Sequence, residues 1–243
     1  MLHDQLLATP GWPAKQAAPG SMPASSTEPQ PAVEHPVWQW VATNHRFNSL
    51  LWAEEDLARR TTVAAEAIAA NKRAIDGYNQ ARNDATERID ELLLTALGLV
   101  DAASARTDAP QATVHAGARL NSETAGSMVD RMSIMALKAH AMQMQAERSD
   151  VDEAHRSASQ GRLQRLQQQR ADLAGCFDAL LADAAAGRAY FKVYRQFKMY
   201  NDARFNPALV AEQRESLSTE QRESLSAEQR DQVEARAKQQ RPA

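Results

Sequence analysis

The chain has 243 residues, a formal net charge of −3, 43% hydrophobic and 24% charged residues, and only 5% aromatics. That length suits one or two domains, and so balanced a charge offers no field to draw in nucleic acid or an acidic membrane. Cys176 is the sole cysteine, which excludes an intrachain disulfide and a cysteine-rich metal site.

Residues 1–36 carry Pro10, Pro13, Pro19, Pro23, Pro29, Pro31 and Pro36 among Ala, Ser and Gln. Proline removes donors and restricts its predecessor, and the segment holds too little apolar surface to offset chain entropy. A disordered tail is expected. The opening "MLHDQLLATPGW" lacks a basic n-region, and no apolar run in the chain approaches bilayer length. The expected location is the cytoplasm, with no membrane association.

Residues 37–207 read as an all-α domain, an antiparallel bundle of four or five long helices. Ala, Leu, Arg, Gln and Glu dominate this stretch, and such side chains lose little freedom in a helix. The first helix spans about 37–60, the second about 63–100. A loop with Asp108 and Pro110 follows. The third begins near Ser122, and the fourth spans about 153–186 with Leu163, Leu166, Leu173, Phe177 and Leu180 in period. Gly187 can close that helix in a left-handed conformation. Cys176 is expected in the core beside Phe177. A last helix, "AYFKVYRQFKMYND", is expected to stop before Pro207. From Glu212 to Ala235 an octad repeats as "EQRESLST", "EQRESLSA", "EQRDQVEA". Its anchors Leu217, Leu225 and Val233 drift about 80° per unit, so residues 208–243 make no dockable stripe and are expected as disordered or nascent helix.

The second helix is the odd one. Its heptad rows are Ile68, Ile75, Arg82, Ile89, Ala96 and Lys72, Asn79, Thr86, Leu93, Val100, apolar at the ends and polar in the middle. Asp76 lies within reach of Lys72. The third helix takes Asp130, Arg131 and Lys138 in among methionines, and the last takes Arg195, Lys198, Asn201 and Asp202 among aromatics. The first adds Glu54, Glu55 and Asp56. Two readings follow from the residues. These groups either line a pocket between helices or form a satisfied network that fixes helix register.

"NHRFNSLLWAEEDLARR", "IAANKRAIDGYNQARNDATERID", "LNSETAGSMVDRMSIMALKAH" and "YRQFKMYND" before "NP" resemble the bacterial family known as domain of unknown function 4254. The resemblance covers about 37–207 and leaves out both tails. It implies a helical fold and a shared polar site carried by Trp52, Glu55, Asp56, Lys72, Asp76, Asn79, Arg82, Asp84, Ser122, Glu123, Asp130, Arg131, Lys138, Arg195, Lys198, Asn201 and Asp202. The chain departs from the family pattern at Ala125, where proline is more usual. The family is uncharacterised, so no reaction is implied. Some relatives are associated with cell-surface polysaccharide genes.

Lys72, Asn79, Arg82, Arg131, Lys138, Arg195, Lys198, Asn201 and Asp202 are therefore the candidate ligand-binding residues. Guanidinium forks grip carboxylate or phosphate at two points, so the expected ligand is a small anion: a phosphate, nucleotide or sugar phosphate. Asp76, Asp84, Asp130 and Glu123 are the candidates for acid–base work. Glu55 and Asp56, with Glu123, are oxygen ligands suited to Mg²⁺, although adjacent carboxylates on a helix ordinarily face water. The competing expectation is a non-enzymatic scaffold, dimeric with a second copy. "DEAH" at Asp152 to His155 has neither a phosphate loop nor a strand before it. The absence of Glu-x-x-His argues against a di-iron bundle.

Overall fold

The computed structural model describes residues 2–13, 36–196, 204–213 and 215–216. The chain divides after Arg195 into two units. The first holds five helices: α1 (Leu2–Leu7), α2 (Pro36–Ala58), α3 (Ala65–Ala96), α4 (Ala125–Ala146) and α5 (Glu153–Ala185). It is all-α apart from two short strands, β1 (Arg119–Leu120) and β2 (Ala189–Tyr190), paired in parallel. In the second unit residues 207–213 are helical, with Asn206 Oδ1 accepting from Ala208 N at 3.0 Å. The octad repeats lie almost wholly outside the described residues.

Two helical hairpins make the body. α2 meets α3 in antiparallel fashion, because residues 59–64 are too few to allow any other return. Phe47 and Leu50 pack on Tyr78 and Ala81, where the small side chain lets the two helices close up. α4 and α5 form the second hairpin across residues 147–152. The main core joins both through Ile89, Leu94, Met128, Met132, Leu173 and Leu180. The methionines are unbranched filler, which suits an irregular interior.

The helix ends follow from their cap residues. Thr124 accepts from Ser127 N at 3.1 Å to start α4, and Asp152 accepts from His155 N at 2.8 Å to start α5. The letters "DEAH" are thus a helix cap. Gly187 takes φ +70 just past α5, and Arg188 N returns to Asp183 O at 2.9 Å, a left-handed close.

Four expectations need correction. The segment read as a disordered tail contains α1, and His3 is buried there. Asp4 pairs with Arg170 of α5 at 2.7 Å, and the Trp12 ring stacks on His45 of α2 with centroids 5.7 Å apart. A few well-placed rings and one ion pair compensate for the scarcity of aliphatic residues. Next, the described part of the expected last helix, residues 189–196, is a strand at Ala189–Tyr190 and non-helical beyond it, while residues 197–202 lie outside the described residues. Arg119 N bonds Arg188 O, and Asn121 N bonds Tyr190 O, at 2.9 and 2.8 Å. Pairing with a distant segment has overridden the local helical pattern. The loop expected between about residue 100 and Ser122 is also longer, since 28 residues, 97–124, separate α3 from α4. Finally, Cys176 is exposed. The buried positions of α5 are Leu163, Leu173, Leu180 and Ala184, and Cys176 points to the side of that stripe. No helix among the described residues is long and apolar enough to cross a membrane.

Candidate functional site: a polar network that opens between α2, α3 and α4

The interior of the first unit does hold a polar network, but α2 supplies most of it. Val37, Val41, Asn44, Asn48 and Leu51 follow a three–four spacing, so burying the valines and the leucine carries two asparagines inside. Asn44 Nδ2 donates to Thr86 Oγ1 of α3 at 3.1 Å and to Asp130 Oδ1 of α4 at 2.9 Å. Asn48 Nδ2 lies within bonding distance of Asn44 Oδ1, Asp130 Oδ1 and Ser133 Oγ, at 3.1, 2.9 and 2.9 Å. Ser133 Oγ also shares a bond of 2.8 Å with His45 Nδ1. Three helices are tied by one connected set. Asn44, His45, Asn48 and Ser133 are buried, so their bonds form away from water.

Arg82 and Asp130 sit where this network reaches the surface, their side chains 26% and 18% exposed. Arg82 Nε is 4.0 Å from Asp130 Oδ1, an ion pair too long to be a hydrogen bond. Of the five N–H groups of a guanidinium, one donates here, to Asn83 Oδ1 at 3.1 Å. The rest find no acceptor among the described residues, and Nε is buried without one. Every bond to Asp130 falls on Oδ1, which leaves Oδ2 with its lone pairs. The open side is a cleft of about 360 Å³ between α2, α3 and α4, into which Arg82 and Asn79 face. Asn48 lines its base, and Trp52, Glu55 and Asp56 line its α2 side. The Asn79 amide takes no bond among the described residues and is open to the cleft.

Arg195 offers the contrast. Nη1 donates to Glu87 Oε2 at 2.9 Å and to Glu91 Oε1 at 2.6 Å. Nη2 donates to Ala105 O and Thr107 O, and Nε to Thr107 O, all within 3.1 Å. No donor remains for a ligand. Arg195 clamps the 97–124 connection to α3, and its expected ligand role is corrected to a structural one. Burial opposes the charge on Arg195, but the two carboxylates outweigh it and hold its pKa above the usual value.

The other expected residues disperse. Lys72 and Asp76 pair with each other on the outside of α3, both well exposed. Arg131 pairs with Glu123 at the α4 start, away from the cleft lining. Asp84 is exposed and accepts from Gln80 Nε2 at 2.7 Å. Lys138 is exposed and lines a separate cleft with residues of α5. Such charges cost nothing on the solvent face, and the buried stripe of α3 runs through Ile75, Ala81 and Ala85 instead. Lys198, Asn201 and Asp202 lie outside the described residues. Of the carboxylates considered for Mg²⁺, Glu55 pairs with Arg59 at 3.3 Å, Asp56 is exposed, and Glu123 is held by Arg131. No group of three or more metal-ligating side chains gathers among the described residues.

A second polar feature lies deeper. Asp90 is buried and accepts from Gly126 N at 2.6 Å, where the first turn of α4 crosses α3. Burial pushes its pKa up to about 7, against the pull of its bonds from Thr124 and Gly126. A Cβ on Gly126 would run into Thr86 O and lie 3.0 Å from the Asp90 carboxyl, so only glycine permits this approach.

A family model described as "Protein of unknown function (DUF4254)" matches residues 38–193. The match ends before Arg195 and so leaves out the stretch to 207. No curated protein and no solved structure matches the chain.

Proposed function

The chain belongs to the DUF4254 family, and from that premise we propose that the cleft between α2, α3 and α4 binds a small anionic, hydroxyl-bearing molecule, a sugar phosphate being the class that fits best. The observation that carries this reading is Arg82. Its guanidinium is fixed at the cleft wall with most of its donors unused and a buried Nε unpartnered. Its unused Nη donors, on a side chain that lines the cleft, are the ones a ligand oxygen can take up. A phosphate takes the guanidinium fork at two points. The Asn79 amide and the carboxylates of Glu55 and Asp56 supply acceptors for hydroxyl groups, and the Trp52 indole offers a flat apolar wall. The mixed charge of the lining favours a ligand with hydroxyls over a bare polyanion.

The reading concerns binding. Asp130, whose Oδ1 is tied by two asparagines, holds Arg82 in place. No hydrogen bond among the described residues falls on its Oδ2.

The test is thermal unfolding of the full chain with a panel of hexose and pentose phosphates at millimolar concentration. A ligand at about 100 times its Kd stabilises by about 2.7 kcal/mol, which raises Tm by several degrees. Arg82→Ala should keep the helical circular dichroism signal and abolish the rise. No rise across the panel, or an equal rise in Arg82→Ala, overturns the reading.

A further inference from the structure

A second cleft, of about 340 Å³, opens between α4 and α5. Its α4 side presents Lys138, Ala141 and Met142, and its α5 side Arg162, Arg165, Leu166 and Gln169. Both sets follow three–four helical spacing, so each is one continuous helix face turned to the other. Trp52 of α2 closes one end and lines the first cleft as well.

The charge here is one-sided. Three cations line the cleft and no carboxylate does. Among the described residues Lys138, Arg162 and Arg165 make no ion pair or hydrogen bond with another side chain. Several other surface arginines have a carboxylate partner: Arg148 with Asp150, Arg156 with Glu153 and Arg188 with Asp183. Three like charges held close repel one another, and an anion seated among them relieves that repulsion. Arg165 is further placed by its own helix. Its Nη1 lies 3.9 Å from where a Cβ of Gly161 would be, so the guanidinium lies over a bare turn of α5.

The floor is not charged. Met142 and Leu166 are half-buried, and the Trp52 indole is 37% exposed beside them. Indole faces and arginine planes both stack on aromatic rings. We infer that this cleft is a binding site for a phosphate-bearing molecule with a flat ring, a nucleoside diphosphate in chemical class, its phosphates among Lys138, Arg162 and Arg165 and its ring against Trp52. Arg82 takes no part in it, and Trp52 is the one residue it shares with the sugar-phosphate reading.

Isothermal titration of the full chain with ADP and with inorganic pyrophosphate at low ionic strength tests it. Both should bind, ADP more tightly because of the ring. Arg162→Ala/Arg165→Ala should weaken ADP binding by about tenfold or more with Tm unchanged, because each removed group is exposed and unpaired. Arg82→Ala should leave the ADP affinity within about twofold, and Trp52→Leu should narrow the gap between the two probes. No saturable binding of ADP at millimolar concentration, or undiminished affinity in the double variant, overturns the proposal. Equal affinity for ADP and pyrophosphate overturns the placement of the ring. Loss of ADP binding in Arg82→Ala with retention in the double variant moves the nucleotide to the first cleft and overturns this one.

Discussion

Asp90 and the two buried histidines oppose each other in their response to pH. Folding raises the Asp90 pKa to about 7, from an ordinary value near 4. Its contribution to stability is therefore complete below about pH 4 and is lost as pH rises through about 7. His3 and His45 run the other way. Burial lowers them to about 4 and about 3, with Arg170 opposing the proton on both and each ring near the other. Their contribution is complete above about pH 6.5 and is lost as pH falls. Between about pH 4 and 6.5 the two slopes partly cancel. Asp90→Asn keeps the acceptor for Gly126 N and removes the titration. Its urea midpoint should climb more steeply than that of the unaltered chain from pH 4 to 6.5, and should not decline from there to pH 8. A variant that parallels the unaltered chain at every pH would sink the burial account of Asp90.

The connection between α3 and α4 is stable because Arg195 holds it. Its guanidinium bridges two α3 carboxylates and two loop carbonyls, and Glu91 is buried. Truncating one partner of a buried pair typically costs about 3–5 kcal/mol, and less here because Glu87 is partly exposed. Arg195→Ala should lower Tm and selectively speed amide exchange across residues 99–113, with α5 protected as before. Uniform exchange over the whole body would count against a local clamp. This clamp shows what the sequence conceals. The bounds of α2 to α5 could be read from period and caps, since Thr124, Asp152 and Gly187 act locally. The environment of Arg195 could not, because its partners lie about a hundred residues away and its own segment looks helical. Asn44 and Asn48 were in principle legible, being in phase with Val37, Val41 and Leu51. Lys72 falls on a straight heptad row with Asn79 and Thr86, but the buried stripe of α3 follows Ile75, Ala81 and Ala85 and leaves it in solvent.

At the scale of the molecule, the first unit is two hairpins with a short helix fastened across them. α1 carries His3 into the body, pairs Asp4 with Arg170, and is followed by Trp12, whose Nε1 donates to Ser49 Oγ at 3.2 Å. Burial raises the Asp4 carboxyl, but the Arg170 bond prevails and leaves its pKa below the ordinary value. The Arg170 side chain is only 11% exposed, so losing Asp4 strands a largely covered charge. Removing residues 1–13 should preserve the helical signal and lower Tm by several degrees, with faster exchange around His45 and Ser49. An unchanged Tm would mean that the segment rests on the body without stabilising it. The polar network is likewise legible only at this scale. Its inner part, Asn44, Asn48 and Ser133 with His45 Nδ1, is buried and sets the register of α2 against α4, while Arg82 sits where the network reaches the surface.

Gly126 gives that arrangement a mechanical side. With no Cβ between them, α4 and α3 touch backbone to side chain at one crossing, and Asp90 pins the point. A tilt of α4 about that crossing displaces each residue in proportion to its distance from Gly126, against the restraint of Asp130 and Ser133, which are tied to α2. At 1.5 Å per residue Leu137 stands about 16 Å from that pivot, and each degree of swing shifts it by about 0.3 Å. Ile134 and Leu137, on the α4 wall of the Arg82 cleft, therefore shift further for a given tilt than Asp130 does.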